Sequence, residues 1–407
     1  MTAHTATEQD GEPDTLRPLS GIRVVDLTNV LAGPYCSYQL LLMGAEVIKV
    51  EAPGRGDLAR QLGPDPDLNR TLLGASFLAQ NAGKRSIEVD LKTEDGRALL
   101  DDLLGSADVL VENFRPGVMT RLGFSPESVR ERHPGLVYCS ISGFGQTGPM
   151  SQRPAYDQII QGLSGMMSIT GTETTAPLRV GFPICDTTGG LAAAMSISAA
   201  LLQRERTGRG AYLDVSMLEA SLSAMGWAVS NYLVSGTEPE PMGDQNATAA
   251  PSGTFHAADG RLNIAANRQE QFETLSTLIG RPDLVVDPRF AEREARKANR
   301  AELNGEINAA LRARSAAEWE EILSAHGVPS ARVLSVAEAL ELDQLEHRDF
   351  LTSVPFPGDD ERSVRVVSSG VQFDGRSFHP PASAPTLGEH TDAFSETALS
   401  AEEGTRP

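Results

Sequence analysis

Between Gly21 and Val215 the chain alternates short, continuously apolar runs with segments of helical period. The apolar runs are Ile22–Leu27, Val47–Val50, Ser86–Leu91, Val109–Val111, Leu136–Ile141 and Ala211–Val215. Cys36–Met43, Arg97–Leu104, Pro126–Arg132 and Gly189–Leu202 intervene with helical character. Runs this short, without polar alternation, read as parallel strands covered on both faces and joined by helical crossovers. The predicted fold class is α/β, with a parallel sheet.

Polar, Gly and Pro residues collect where each predicted strand ends: Thr28–Pro34 (TNVLAGP), Glu51–Gly56 (EAPGRG), Lys92, Glu112–Gly117 (ENFRPG) and Ser142–Pro149 (SGFGQTGP). Any one of these loops reads as a turn. Together they occupy the carboxyl edge of the sheet, where helix N-termini and free loop amides converge on ligands.

At 407 residues the chain exceeds what one core usually organises. The composition turns Gly-, Pro-, Glu- and Asn-rich over Gly236–Gly253, so residues 18–235 are assigned to the large domain and 236–332 to a small one. The small domain is expected to hold a strand at Leu262–Ala266 and helices at Arg268–Leu278, Arg300–Ala309 and Ala316–His326. Residues 333–407 return to strand-like segments at Ser363–Val367 and Gly370–Phe373, and residues 1–17 read as a disordered leader.

With 55 Asp and Glu against 35 Lys and Arg, the chain carries a formal charge of −20. That field repels nucleic acid and anionic membranes, so neither is an expected partner. No run approaches the roughly 18 consecutive apolar residues of a membrane span. Cys36, Cys139 and Cys185 are odd in number and set in apolar or Gly-rich runs, as buried thiols of a cytoplasmic protein are. The seven histidines show no metal-ligand spacing, and no metal is expected.

Familiar motifs fail on inspection. Gln80–Ser86 (QNAGKRS) resembles a phosphate loop, but Leu78 stands where that motif needs its first glycine. Ala32–Pro34 (AGP) offers one glycine where a dinucleotide fingerprint needs three, and G-x-S-x-G is missing.

What does match, in order and spacing from about residue 20 to residue 392, is VVDLTNVLAGP, GAEVIKVEAPGRGD, KRSIEVDLK, DVLVENFRPG, SISGFGQTGP, PAYD, TGRGAYLDVSMLEA and LGEHT. These segments resemble the class III CoA-transferase family, which includes formyl-CoA and carnitine CoA-transferases and α-methylacyl-CoA racemases. The resemblance implies a Rossmann-like large domain that residues 333–407 complete, a smaller α+β domain and an interlocked homodimer, with acyl-CoA and small carboxylic acids as partners, and coenzyme A thioester as substrate with no prosthetic group. It places the nucleophile on Asp157 and CoA contacts on Leu31, Ala32, Val89, Asp90, Leu91, Lys92, Asn113, Phe114, Arg115, Arg121 and Gly143. Lys92 and Arg121 are the expected phosphate or ribose contacts. Tyr35, Gln80, Tyr156 and Gln161 are expected to face the acceptor acid, and Gly243 marks the acyl lid within Met242–Asn246 (MGDQN).

The carboxylate chemistry is sound in itself, because an aspartyl anhydride and an aspartyl thioester resemble the substrates in energy. Several residues depart from relatives. Leu31 and Ala52 replace the Gln and Arg of some formyl-CoA transferases, and MGDQN replaces their glycine run. Tyr156 stands where the racemase branch has its His, while Asp186 matches that branch's second acid, so racemase or epimerase ranks below transferase. Asp186 is expected chiefly to support a helix beginning near Gly189. A non-catalytic CoA-binding protein is the remaining alternative. The expected reaction moves CoA from a donor such as succinyl-CoA or acetyl-CoA to an acceptor acid, such as a dicarboxylate.

Overall fold

The computed structural model describes residues 17–394, and within them two compact units. The leader expected over residues 1–17 lies outside the described residues except for Arg17. The first unit holds the described residues through Met166, Val180–Gly236 and those from Gln344 onward; the second holds Met167–Arg179 and Thr237–Asp343.

A six-stranded sheet organises the first unit, from β1 (Arg23–Asp26), β2 (Glu46–Glu51), β3 (Arg85–Glu88), β4 (Val109–Glu112), β5 (Val137–Ser142) and β6 (Tyr212–Ser216). Its order is β3-β2-β1-β4-β5-β6 and every pairing is parallel. Successive residues serve opposite faces, as a strand's period of two requires. Val24, Val47 and Val109 pack with Tyr38, Leu40 and Ile197 on one side. Val25, Ile48 and Leu110 pack with Leu100, Leu103 and Leu104 on the other. The mixed α/β expectation holds, and this strand order puts a topological switch point between β1 and β4.

Helices begin earlier than the apolar pattern indicates. The first runs Ala32–Leu42, four residues ahead of Cys36, with Pro34 in its first turn where a missing N–H costs nothing. The Gly-rich helix runs Ile184–Thr207 rather than from Gly189. It is long and apolar enough to cross a membrane, yet it packs on the Ala32–Leu42 helix and on β5 and β6 as a core element. Gly190 permits this contact, since a Cβ there would lie 2.5 Å from the Ala32 carbonyl oxygen. After β6 the apolar segment forms two helices, Met217–Ala224 and Trp227–Ser235, parted at Gly226 with φ +44°. The late strands do not join the large sheet: β10 (Leu351–Phe356) and β11 (Asp359–Val367) form a hairpin of their own.

Beneath the carboxyl ends of β1 and β2 lies a cluster of six buried charges. Lys84 Nζ donates to Asp26 Oδ2 at 3.0 Å, and Lys49 Nζ pairs with Asp57 Oδ2 at 3.0 Å. Arg60 forks onto Glu51, its Nε and Nη2 at 2.8 and 2.7 Å, and stacks 3.7 Å over Phe77. Burial alone would raise the Asp26 carboxyl, but Lys49 and Lys84 hold it well below its usual range. Burial pushes Lys84 down to about 8, against the opposing pull of Asp26. Three acids face three bases, so the desolvation cost is offset by pairing.

In the second unit β7 (Ser252–His256), β8 (Arg261–Ala265) and β9 (Ser330–Arg332) form an antiparallel sheet. Leu262 and Ile264 of β8 face inward while Arg261 and Asn263 face solvent. Helices Gln269–Leu278, Arg300–Leu311 and Ala316–Ala325 enclose a core with Phe255, Phe272, Phe290 and Trp319. The last is started by a Ser315–Glu318 capping box.

Replacing Lys84 by Met strands Asp26 without its nearest base and should destabilise the fold by about 3–5 kcal/mol, while Asp26→Leu/Lys84→Met together should recover most of the loss. Urea unfolding of the three proteins checks this; equal stability of the single variant and the wild type would refute it.

Candidate active site

The loop after β1 is shaped from below. Asp26 Oδ1 accepts from the Thr28 amide at 2.8 Å, and Lys49 Nζ donates to the Thr28 carbonyl at 2.8 Å. Val30 is then held at φ +70°, a left-handed conformation rare for a β-branched residue, with its amide 2.8 Å from Asp57 Oδ1. Gly33 is obligatory in this turn, because a Cβ would sit 2.3 Å from the Thr28 side chain. Across the switch point, Asn113 clasps the same loop: its Oδ1 accepts from the Asn29 amide at 2.9 Å and its Nδ2 donates to the Asn29 carbonyl at 2.8 Å.

These two loops form one wall of a cleft of about 290 Å³. Opposite them lie the end of β5, at Ser142 and Gly143, the Arg153–Tyr156 segment, Asp186 and Met217. Of the residues expected at the site, Leu31, Ala32, Asn113, Phe114, Arg115, Gly143 and Tyr156 line the cleft. Sequence reasoning did not single out Asn29, Val30 or Arg153 as site residues; Arg153 lies only four positions before Asp157 and supplies a second exposed guanidinium beside Arg115.

Asp157 lies next to the cleft-lining Tyr156 and opens the Asp157–Leu163 helix at its first position. It is 6% exposed. Its Oδ1 accepts from the Cys185 amide at 2.8 Å and the Asp186 amide at 3.4 Å, both in the first turn of the Ile184–Thr207 helix. Its Oδ2 accepts from Gln161 Nε2 at 2.7 Å. The carboxylate therefore sits at two helix N-termini, where partial positive charge favours the anion.

Other expected residues fall elsewhere. Gln161 is fully buried, donates to Asp157 and accepts from the Val180 amide at 2.8 Å, so it orients the carboxylate instead of facing an acid. Tyr35 is half-buried in the Ala32–Leu42 helix against Gly190, and Gln80 is half-buried in the Ala75–Asn81 helix. Val89, Asp90, Leu91 and Lys92 follow β3 along the carboxyl edge, with Lys92 exposed; Arg121 is exposed beside Gly117. None of these lines the cleft. Gly243 lies in the second unit, at a cavity of about 930 Å³ lined also by Asp244, Gln245, Ser252 and Asn263. Among the described residues no cluster of three His, Cys, Asp or Glu could hold a metal, and all three cysteines are buried and unpaired.

Two further acids are perturbed. Burial pushes Glu112 up to about 7, Ser140 and the Phe114 amide opposing and Asp214 adding to the rise. Its Oε2 accepts from the Phe114 amide at 2.8 Å, so this acid holds the root of the Asn113–Arg115 loop. Burial also pushes Asp186 up to about 7, with the charge of Asp157 as the second cause.

A buried carboxylate bound by three N–H donors beside a switch-point crevice lined by Arg115 and Arg153 is the arrangement of an α/β enzyme site. The chain belongs to CoA-transferase family III, whose profile matches residues 19–391; it is a CoA-transferase and a CoA thioester is its substrate. It is 41% identical to the acetyl-CoA:oxalate CoA-transferase of Acetobacter aceti, over 93% of this chain and 95% of that one. It is 38% identical to the succinyl-CoA:mesaconate CoA-transferase of Haloarcula hispanica, over 91% and 94% of the two chains. Its fold matches the crystal structure of a CAIB/BAIF family protein from Brucella suis with a TM-score of 0.82 and 35% identity, over 93% and 99% of the chains.

Glu112 has a pH consequence of definite sign. Its folded-state value lies above the ordinary 4.5, so the stability it confers is complete at low pH and is lost as pH rises from about 4.5 through about 7. Wild-type protein should lose roughly 1–3 kcal/mol more between pH 5 and pH 7.5 than Glu112→Gln, measured as urea unfolding at both pH values. Parallel losses in the two proteins would contradict the shift.

Proposed function

We propose that this enzyme moves CoA from an acyl-CoA donor such as acetyl-CoA or succinyl-CoA to a dicarboxylic acid, through covalent intermediates on Asp157. The observation that carries the reading is Asp157 itself, buried, fixed by three N–H donors and set beside the switch-point cleft. The names of the relatives favour a dicarboxylate, since oxalate and mesaconate are both diacids.

A carboxylate oxygen of Asp157 attacks the thioester carbonyl carbon, and the C–S bond breaks to give a mixed anhydride and CoA thiolate. The thiolate attacks the Asp157 carbonyl carbon, releasing the donor acid and leaving an aspartyl-CoA thioester. The acceptor carboxylate attacks that thioester, forming a second anhydride and freeing the thiolate. Attack of the thiolate on the acceptor's acyl carbon yields the new acyl-CoA and restores Asp157. The N–H groups that fix the carboxylate remain aimed at its carbonyl in each covalent state and stabilise the negative charge that forms there. Arg115 and Arg153 are suited to the anionic parts of the substrates, and Lys92 and Arg121, further along the same edge, to the phosphates of CoA.

The homodimer belongs to the same proposal. The Ile184–Thr207 helix exposes Leu191, Met195 and Leu202, and the Trp227–Ser235 helix buries none of its residues, Trp227 and Val234 being 80% and 88% exposed. Apolar surface of this extent on two helices fits a subunit interface; an interlocked arrangement is the form the family resemblance implies. Buried, unpaired thiols fit a cytoplasmic location.

Incubation with acyl-CoA and hydroxylamine should place a hydroxamate on Asp157, read by mass spectrometry, and Asp157→Ala should lose at least ~10³-fold in kcat. Turnover by Asp157→Ala at wild-type rate would refute the covalent path. Sedimentation should show a dimer that Met195→Asp/Val234→Asp converts to monomer; a monomeric wild type would refute the interface.

A further inference from the structure

The mechanism assigns Asp157 a role but leaves its neighbour Asp186 unexplained. Asp186 lines the cleft, and its amide donates to Asp157 at 3.4 Å. The two acids are treated differently. Asp157 receives N–H bonds from Cys185, Asp186 and Gln161, all of which favour the ionised form. The carboxyl of Asp186 has no hydrogen-bond partner among the described residues, although it stands in the first turn of a 24-residue helix whose dipole would favour its ionisation.

Two close carboxyl groups do not both ionise freely, and the proton stays on the one less well solvated by donors. We propose that Asp186 is a further catalytic residue, a neutral carboxylic acid that donates a hydrogen bond to the acyl carbonyl oxygen while Asp157 attacks. This rests on the Asp157 reading above. When the Asp157 oxygen forms its bond to the carbonyl carbon, the π electrons move to the carbonyl oxygen. The Asp186 O–H stabilises that oxyanion and keeps its proton. Collapse restores the C=O bond and expels the thiolate, so no net proton is consumed. The preference for the neutral form agrees with burial, which is the larger cause of the raised Asp186 value, and with the charge of Asp157.

The groups that face Asp186 are consistent with this protonation. Asp157, on its own short helix, accepts from the Asp186 amide, while Tyr156 and Arg153 from the segment before it and Arg115 from the loop after β4 line the same cleft. Tyr35 comes from the Ala32–Leu42 helix that packs on this one. Burial pushes the Cys185 thiol up, with Ser221 opposing. The arginines are exposed to solvent and Asp157 is not, so the acid dominates the local field.

The test compares kcat against pH for wild type, Asp186→Asn and Asp186→Ala. Wild-type kcat should fall as pH rises through neutrality, because ionised Asp186 has no proton to donate. Asp186→Asn keeps an N–H donor that does not titrate, so it should retain activity to within ~10-fold and lose that limb. Asp186→Ala should lose ~10²–10³-fold in kcat, the usual cost of removing one oxyanion donor, with KM for acyl-CoA changed less than ~3-fold. Persistence of the limb in Asp186→Asn overturns the proposal, as does wild-type kcat in Asp186→Ala. Should Asp186→Ala not fold, the Asp186→Asn profile decides alone. Hydroxamate at Asp157 in the wild type, together with either overturning result, removes Asp186 and leaves the aspartyl path standing. Lack of hydroxamate in wild-type protein removes both.

Discussion

The six-charge cluster under β1 and β2 is the constraint from which the site follows. Asp26 and Asp57 each have two duties: one oxygen pairs with a buried lysine, the other receives a backbone amide from the loop above. The loop conformation, including Val30 in its left-handed pose, is therefore dictated by ion pairs it does not belong to. The same cluster reaches the far end of the chain. Glu51 accepts from Ser86, whose hydroxyl accepts from the Gly388 amide, and Arg60 donates to the Pro385 carbonyl. The late LGEHT segment is thus an anchor of the large sheet rather than a tail beside it. Apolar residues of equal volume could pack this space at least as stably. What they could not do is hold a loop in one strained shape.

Directly above that loop the chemistry depends on unequal treatment of like groups. Asp157, Asp186 and Glu112 are all acids at least half removed from water, yet only Asp157 collects two amides of one helix start together with a side-chain amide. Burial raises the other two. One edge of the sheet therefore carries one carboxylate rich in N–H donors and two acids that burial pushes up to about 7.

Much of this architecture was legible before the structure. Strands such as Val137–Ser142 announce themselves because a strand buried on both faces has no polar positions to interrupt it. Helix starts were less visible. Ala32–Pro34 and Ile184–Thr188 carry small, mixed residues whose helicity comes from packing against other helices, not from an apolar stripe. Gly226 looked harmless within an apolar segment, yet its backbone conformation ends one helix and begins the next. At the site, Asp157 could be found only through family resemblance, because one Asp before an apolar segment is otherwise a helix start. Gln161 was assigned to substrate because it is polar and near; its helical spacing of four from Asp157 was the overlooked signal, since that spacing puts both side chains on one face. Asp186 reaches the cleft through folding of a distant segment, and no spacing in the chain encodes that meeting.

The near-complete burial of Asp157 reaches beyond positioning. An acyl group attached to a carboxylate is open to attack by water, and each such event would discard a thioester bond as heat. With the side chain enclosed by the starts of two helices, the competitors for the activated carbon are chiefly the thiolate and the carboxylates that fit the cleft. The difference between exchanging a thioester and destroying one, a transferase and a thioesterase, then comes down to how little of a single aspartate solvent can touch.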